Sequence, residues 1–175
     1  RTEQDIRAVM AEGCRIRMCK GAYKEPADRA YPKKKDVDSS YDRLARIMID
    51  AAKGAGAQPV SADGRVPPMT ALATHDETRI AAGRAYAEQI GFPKPALEFQ
   101  MLNGIRTDLQ RQLAAAGYPV RVYVPYGMEW YPYFMRRLAE RPANVWFFAS
   151  NFLRWSEARG GMKRLSLLPA LLILL

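Results

Sequence analysis

The amino-acid sequence predicts an α/β fold in which βα units build a parallel sheet. Short apolar runs of strand type alternate with helical patterns along the chain, which is the signature of βα units. Each predicted strand is followed at its C-terminal end by polar or glycine-bearing residues. The 175 residues, 49% hydrophobic and 26% charged, hold enough apolar content for one globular core.

A lead-in helix, "EQDIRAVMAEG", stops at Gly13 and feeds a strand near "CRIRMC". "DVDSSYDRLARIMIDAAKG" follows as a helix with Asp or Ser expected as N-cap, Leu44, Ile47 and Met48 on one face, and Gly54 as stop. A strand at "MTALATH" leads into a helix at "DETRIAAGRAYAEQIG". "ALEFQML" with "IRTDLQRQLAAAG" forms a third unit, and "VRVYVPYG" opens a fourth that closes with a helix around "YFMRRLAE". Lys20 and Gly21, Thr74 and His75, Gln100 and Asn103, and Tyr123 and Gly127 therefore gather at the strand C-termini, where α/β proteins hold their ligands. A complete eight-unit barrel takes about 250 residues, so four units describe either a small open sheet or the second half of a barrel.

The formal charge of +9 favours anionic partners. Its one dense run, "KKKD" from Lys33, is short and lacks interleaved aromatics, so a nucleic-acid footprint is poorly supported. Cys14 and Cys19 match neither a metal knuckle nor a CxxC pair, and a reducing compartment follows most simply. With His75 the single histidine, a multi-histidine metal site is excluded, and a Ser/His/Asp triad would have to use it. The chain opens in mid-pattern without methionine or signal peptide, which reads as a truncated N-terminus. The apolar run from Leu165, "LSLLPALLILL", is about half the roughly 20 residues a membrane span needs. A packed helix or a membrane-surface foot suits it better.

No GxGxxG or GxxxxGK[ST] follows any strand, so neither a dinucleotide fingerprint nor a Walker loop is present. "KGAY" at Lys20 instead sets a cation before small residues that let a ligand approach the backbone. In "YFMRRLAE", helical spacing puts Tyr133, Arg136, Arg137 and Glu140 on one face. That stripe is either a solvated surface, with a pair worth a few tenths of a kcal/mol, or a two-guanidinium clamp for a carboxylate or phosphate.

"RMCKGAY", "ATHD", "EFQML", "RVYVPYG" and "YFMRRLAE", in this order over about residues 14–144, resemble the proline dehydrogenase family. The resemblance implies the second half of a distorted (β/α)8 barrel, with residues 1–154 as the partial barrel and residues 155–175 as an apolar tail of unassigned role. It implies FAD as cofactor, L-proline as substrate, Δ1-pyrroline-5-carboxylate as product and a quinone as electron acceptor. With these come a cytoplasmic location, a peripheral contact at the inner face of the membrane, and no nucleic-acid partner.

Residue by residue, Arg17 matches an arginine near the reactive edge of the flavin, where a cation favours the anionic reduced ring. Lys20, Gly21 and Ala22 match flavin-binding backbone, and Thr74 and His75 match contacts to the cofactor's phosphate and ribose region. Gln100 matches a flavin-ring contact and Leu102 an apolar lining of the proline pocket. Tyr123 matches the tyrosine packed on the proline ring, Arg136 and Arg137 the carboxylate clamp, and Glu140 an acid beside it. Asn103 stands where many members carry an aromatic residue, and residues 160–175 match nothing in the family's pattern. A half barrel exposes strand edges, so the chain alone is expected to bind flavin poorly and to turn over little proline. A hydroxyproline-type enzyme and a non-catalytic anion-binding module are the alternatives.

Overall fold

The computed structural model describes residues 2–20, 26–124, 126 and 127. Helix α1 (Thr2–Ala11) leads into strand β1 (Ile16–Cys19), followed by α2 (Lys34–Gly54), β2 (Thr70–Ala73), α3 (Glu77–Gln89), a 3-10 turn at Lys94–Ala96, β3 (Leu97–Leu102), α4 (Thr107–Ala115) and β4 (Val120–Tyr123). All the expected elements through β4 form, each strand shorter than its apolar run. The helix at "YFMRRLAE" lies outside the described residues, as does the tail 155–175.

The four strands are parallel and lie in sequence order, β1-β2-β3-β4. Ile16 pairs with Thr70, Thr70 with Leu97, and Phe99 with Val120. Because strand side chains alternate between faces, this register sorts them into two sets. Met18, Leu72, Leu97, Phe99 and Met101 share one face and belong to the core, together with Ile6 and Met10 of α1, Met48 and Ile49 of α2, Ile80 of α3 and Leu113 of α4. The helices thus cover that face. Arg17, Ala71, Glu98, Gln100, Arg121 and Tyr123 share the other.

Among the described residues the arrangement is one-sided, which decides between the two architectures the sequence left open. An open doubly wound sheet carries helices on both faces and a reversal of strand order, whereas a barrel wall has sequential strands, helices outside and side chains inside. The sheet has the second pattern and is a segment of barrel wall.

Fully buried Met48, Ile49, Leu72 and Phe99 anchor the helical layer, each contributing about 1.5–3 kcal/mol by its burial. Thr70 donates its hydroxyl to the Met48 carbonyl at 3.2 Å, which fastens β2 to α2. Gly83 lets α3 press onto β2, since a Cβ there would meet Leu72 Cδ1 at 2.8 Å. One expectation needs correction: α2 starts at Lys34 behind Lys33, with no side-chain cap, so neither Asp nor Ser is its N-cap. Asp38 is a full turn inside the helix, where its carboxylate is drawn to Lys20 and Lys34 instead.

Candidate functional site on the inner face of the sheet

Parallel register brings polar side chains from three strands together on the inner face. The β2 positions on this face are Ala71 and Ala73, whose side chains stop at Cβ. A cavity of about 330 Å3 lies over Ala71, lined by Arg17, Gln100, Arg121 and Tyr123 and closed at the N-terminal side of β1 and β2 by Arg15, Pro67 and Pro68. A short side chain in the middle strand, flanked by long polar ones, leaves a trough instead of a filled interior.

A continuous chain of hydrogen bonds runs along the trough. Arg121 meets Glu98 with a two-pronged fork, Nε to Oε1 at 2.9 Å and Nη2 to Oε2 at 3.0 Å, and Nη2 also donates to the Gly64 carbonyl at 3.0 Å. Gln100 Nε2 donates to Glu98 Oε1 at 2.5 Å, and the Tyr123 hydroxyl donates to Gln100 Oε1 at 3.0 Å. The Arg17 guanidinium stands 5.0 Å from the Tyr123 ring centre, a cation–π distance. Burial pulls the Arg17 pKa down, but Cys19 and Tyr123 more than offset it, so its pKa is raised. Glu98 and Gln100 are buried polar groups, and this network is what satisfies them.

A second cluster sits at the C-terminal rim. Lys20, just past β1, places Nζ 2.5 Å from both Asp38 Oδ1 of α2 and Asp76 Oδ2 ahead of α3. Burial lowers the Lys20 pKa, but the hydrogen bonds and charges of these two carboxylates outweigh it and raise it. Asp38, held by Lys20 and Lys34, titrates at about 2. Asp76 also caps α3, accepting from Thr78 N at 3.1 Å and Arg79 N at 3.4 Å, while its own N–H donates to Thr74 Oγ1.

His75 does not cap that helix. Its Nε2 accepts the Leu102 N–H at 3.0 Å, joining the end of β2 to the end of β3. Partial burial, aided by the nearby Arg106 charge, lowers its pKa, which favours the neutral ring this bond requires.

Of the residues singled out in the sequence, Arg17, Gln100, Leu102 and Tyr123 come together on the inner face. Lys20, Thr74 and His75 come together at the rim. Gly21, Ala22, Arg136, Arg137 and Glu140 lie outside the described residues. The sequence reading missed Glu98, Arg121, Asp38 and Asp76. Glu98 and Arg121 are each two residues from a named site residue on the same strand, so strand parity was the signal that could have found them. Among the described residues, no group of three or more His, Cys, Asp or Glu side chains could hold a metal ion. No helix among them is long and apolar enough to cross a membrane.

The trough suits a planar ligand that carries hydrogen-bonding atoms on its rim: Ala71 below, an aromatic ring and guanidinium groups beside it, and a buried amide to read an edge.

The family model for proline dehydrogenase matches residues 5–150. A proline dehydrogenase from Deinococcus radiodurans is 48% identical over 139 residues, covering 79% of this chain and 40% of the relative. Proline dehydrogenase 2 of Bacillus subtilis is 42% identical over 147 residues, covering 84% of this chain and 44% of the relative. The chain therefore spans less than half the length of these relatives. The crystal structure of proline utilization A (PutA) from Bdellovibrio bacteriovorus, inactivated by N-propargylglycine, superposes with a TM-score of 0.56 at 26% identity, over 72% of this chain and 14% of that one. With a family match across most of its length and a parallel sheet of the same barrel type, the chain belongs to the proline dehydrogenase family.

Proposed function

We propose that this chain supplies the flavin-binding and proline-binding wall of an FAD-dependent oxidoreductase that converts L-proline to Δ1-pyrroline-5-carboxylate and passes the electrons to a quinone at the membrane surface. The observation that carries this reading is the meeting of Arg17, Gln100 and Tyr123 around one trough on the inner face of the sheet.

The residues fit an isoalloxazine ring: the trough is floored by alanine, and Gln100 places an oriented amide at its wall. When bound, the flavin supplies a two-electron acceptor for the hydride leaving proline. The chain's own residues then bind and orient, with no protein nucleophile required. Arg17 presents positive charge to a ring that gains negative charge on reduction. Gln100 hydrogen-bonds the ring edge, and Leu102 lines the substrate side. Thr74 and His75 stand at the rim toward the cofactor's ribose and phosphate region. The ammonium of Lys20 is committed to Asp38 and Asp76, so its part is to tie the end of β1 to α2 and to the start of α3, just ahead of Gly21 and Ala22 in the sequence. Tyr123 packs on the proline ring, its phenol leaving little room for an added hydroxyl. Arg136 and Arg137 clamp the proline carboxylate beside Glu140, an orientation that two guanidinium groups enforce well.

A chimera tests the reading. Residues 5–150 replace the matching stretch of the Deinococcus radiodurans relative, and the purified protein is examined for yellow flavin absorbance and proline-dependent reduction of a soluble quinone. Bound flavin with turnover is expected; a folded but colourless and inactive chimera refutes the proposal. In that protein, Arg136→Ala with Arg137→Ala should abolish proline affinity and keep flavin content, whereas no change in either makes the pair a solvated surface.

A further inference from the structure

We infer that Glu98 is a positioning residue: with Arg121 behind it, it locks the Gln100 side chain so that one amide N–H is held as a hydrogen-bond donor to the ligand in the inner-face trough. This rests on the reading of that trough as a flavin site.

A glutamine amide has two nearly isosteric orientations, and its neighbours choose between them. Glu98 is an acceptor when ionised, and its side chain is only 2% exposed, paired with the Arg121 fork. The Gln100 nitrogen must therefore turn toward Glu98, where it donates at 2.5 Å. That leaves the oxygen facing Tyr123, whose hydroxyl donates to it at 3.0 Å. One amide proton and the oxygen are accounted for by these bonds; the second proton remains on a side chain that lines the cavity. An ion pair with one buried member adds little to stability compared with an apolar pair of similar volume, so orientation is the better reason for burying Glu98 against the part-exposed Arg121. Flavin rings carry carbonyl and ring-nitrogen acceptors along their edge, and a donor of fixed direction meets them without reordering.

Glu98→Gln is the discriminating change. Arg121 claims the new side-chain oxygen, the new NH2 faces Gln100, and the Gln100 amide must flip, freeing the Tyr123 proton. In the 175-residue chain, side-chain amide NMR should show one Gln100 proton shifted and slow to exchange in the wild type, and both features lost in Glu98→Gln. Quenching of FAD fluorescence should report weak, saturable binding by the wild type, at least tenfold weaker in Glu98→Gln. The double exchange Glu98→Gln with Gln100→Glu keeps an acceptor for Tyr123 but no donor, so it should keep the wild-type circular dichroism and remain at least tenfold weaker. A wild-type Gln100 amide that exchanges like a free side chain overturns the lock. A flipped amide with FAD affinity within twofold of wild type overturns the positioning role and leaves the flavin reading standing. Absence of FAD from the folded chimera described above, with the amide locked, overturns the flavin reading and the ligand assigned to the donor.

Discussion

Acidification through the ordinary histidine range should loosen the junction between β2 and β3. The bond at stake is the Leu102 N–H donating to His75 Nε2 at 3.0 Å. Protonation puts a hydrogen on that nitrogen, turning the acceptor into a second donor and leaving the Leu102 N–H unpaired. At this half-buried position the loss is about 1 kcal/mol, the low end for a stranded backbone donor. The direction with pH follows from linkage. Burial and the Arg106 charge lower the His75 pKa below its usual 6.5, so the unfolded chain binds the proton more readily. The contribution is full above about pH 6.5 and drains as pH falls toward the folded-state pKa, at no more than about 1.4 kcal/mol per pH unit for one proton. His75 is the single histidine, so its ring resonance can be followed by NMR without ambiguity, alongside hydrogen exchange at the Leu102 amide. A ring that titrates at or above 6.5, or Leu102 protection that is unchanged between about pH 7.5 and about pH 5.5 after correction for intrinsic exchange, would refute the reasoning. His75→Gln offers an acceptor that does not titrate and should flatten the response; His75→Ala should lose about 1 kcal/mol across the range.

Gly83→Ala gains about 1 kcal/mol of helix propensity but drives a Cβ to 2.8 Å from Leu72 Cδ1 in a fully buried position. Overpacking of that kind costs about 1–3 kcal/mol, so urea denaturation should show a net loss of up to about 2 kcal/mol, and a gain would mean Leu72 has room to move. Asp76→Ala removes the α3 cap, about 1 kcal/mol, and one of Lys20's two carboxylates, whereas Asp76→Asn keeps the cap and should retain more stability. Equal losses in the two variants would show that the cap contributes nothing. Asp38 titrates at about 2 against an ordinary 3.8, so its contribution is complete above 3.8 and disappears as pH falls toward 2. Lys20→Met should make acid unfolding, followed by circular dichroism, less steep there; an unchanged acid limb would rule out the Lys20 contact as its source.

The order and type of the elements were legible because βα units write two different apolar periods into the chain, and glycine stops such as Gly13 and Gly54 punctuate them. The α2 cap was misread because residues 33–38 offer several polar candidates; tertiary contact drew Asp38 to Lys20, so capping propensity had no say. Arg17, Gln100 and Tyr123 could be named from ordered motifs, yet nothing local says that Gln100 touches Tyr123, since the two are brought together only when β3 and β4 pair.

The sequence by itself determined the α/β class, the strand-end positions of Lys20, Thr74 and His75, and the motif set that marks the family, since all of these are local in the chain. Only the tertiary structure decided which face of each strand meets helices and which lines the trough. A strand's two faces are distinguished by what packs on them, and alternation alone does not label them. The same register placed Glu98 beside Gln100 and Arg121 across from both, turning three separate polar residues into one network that orients a single amide.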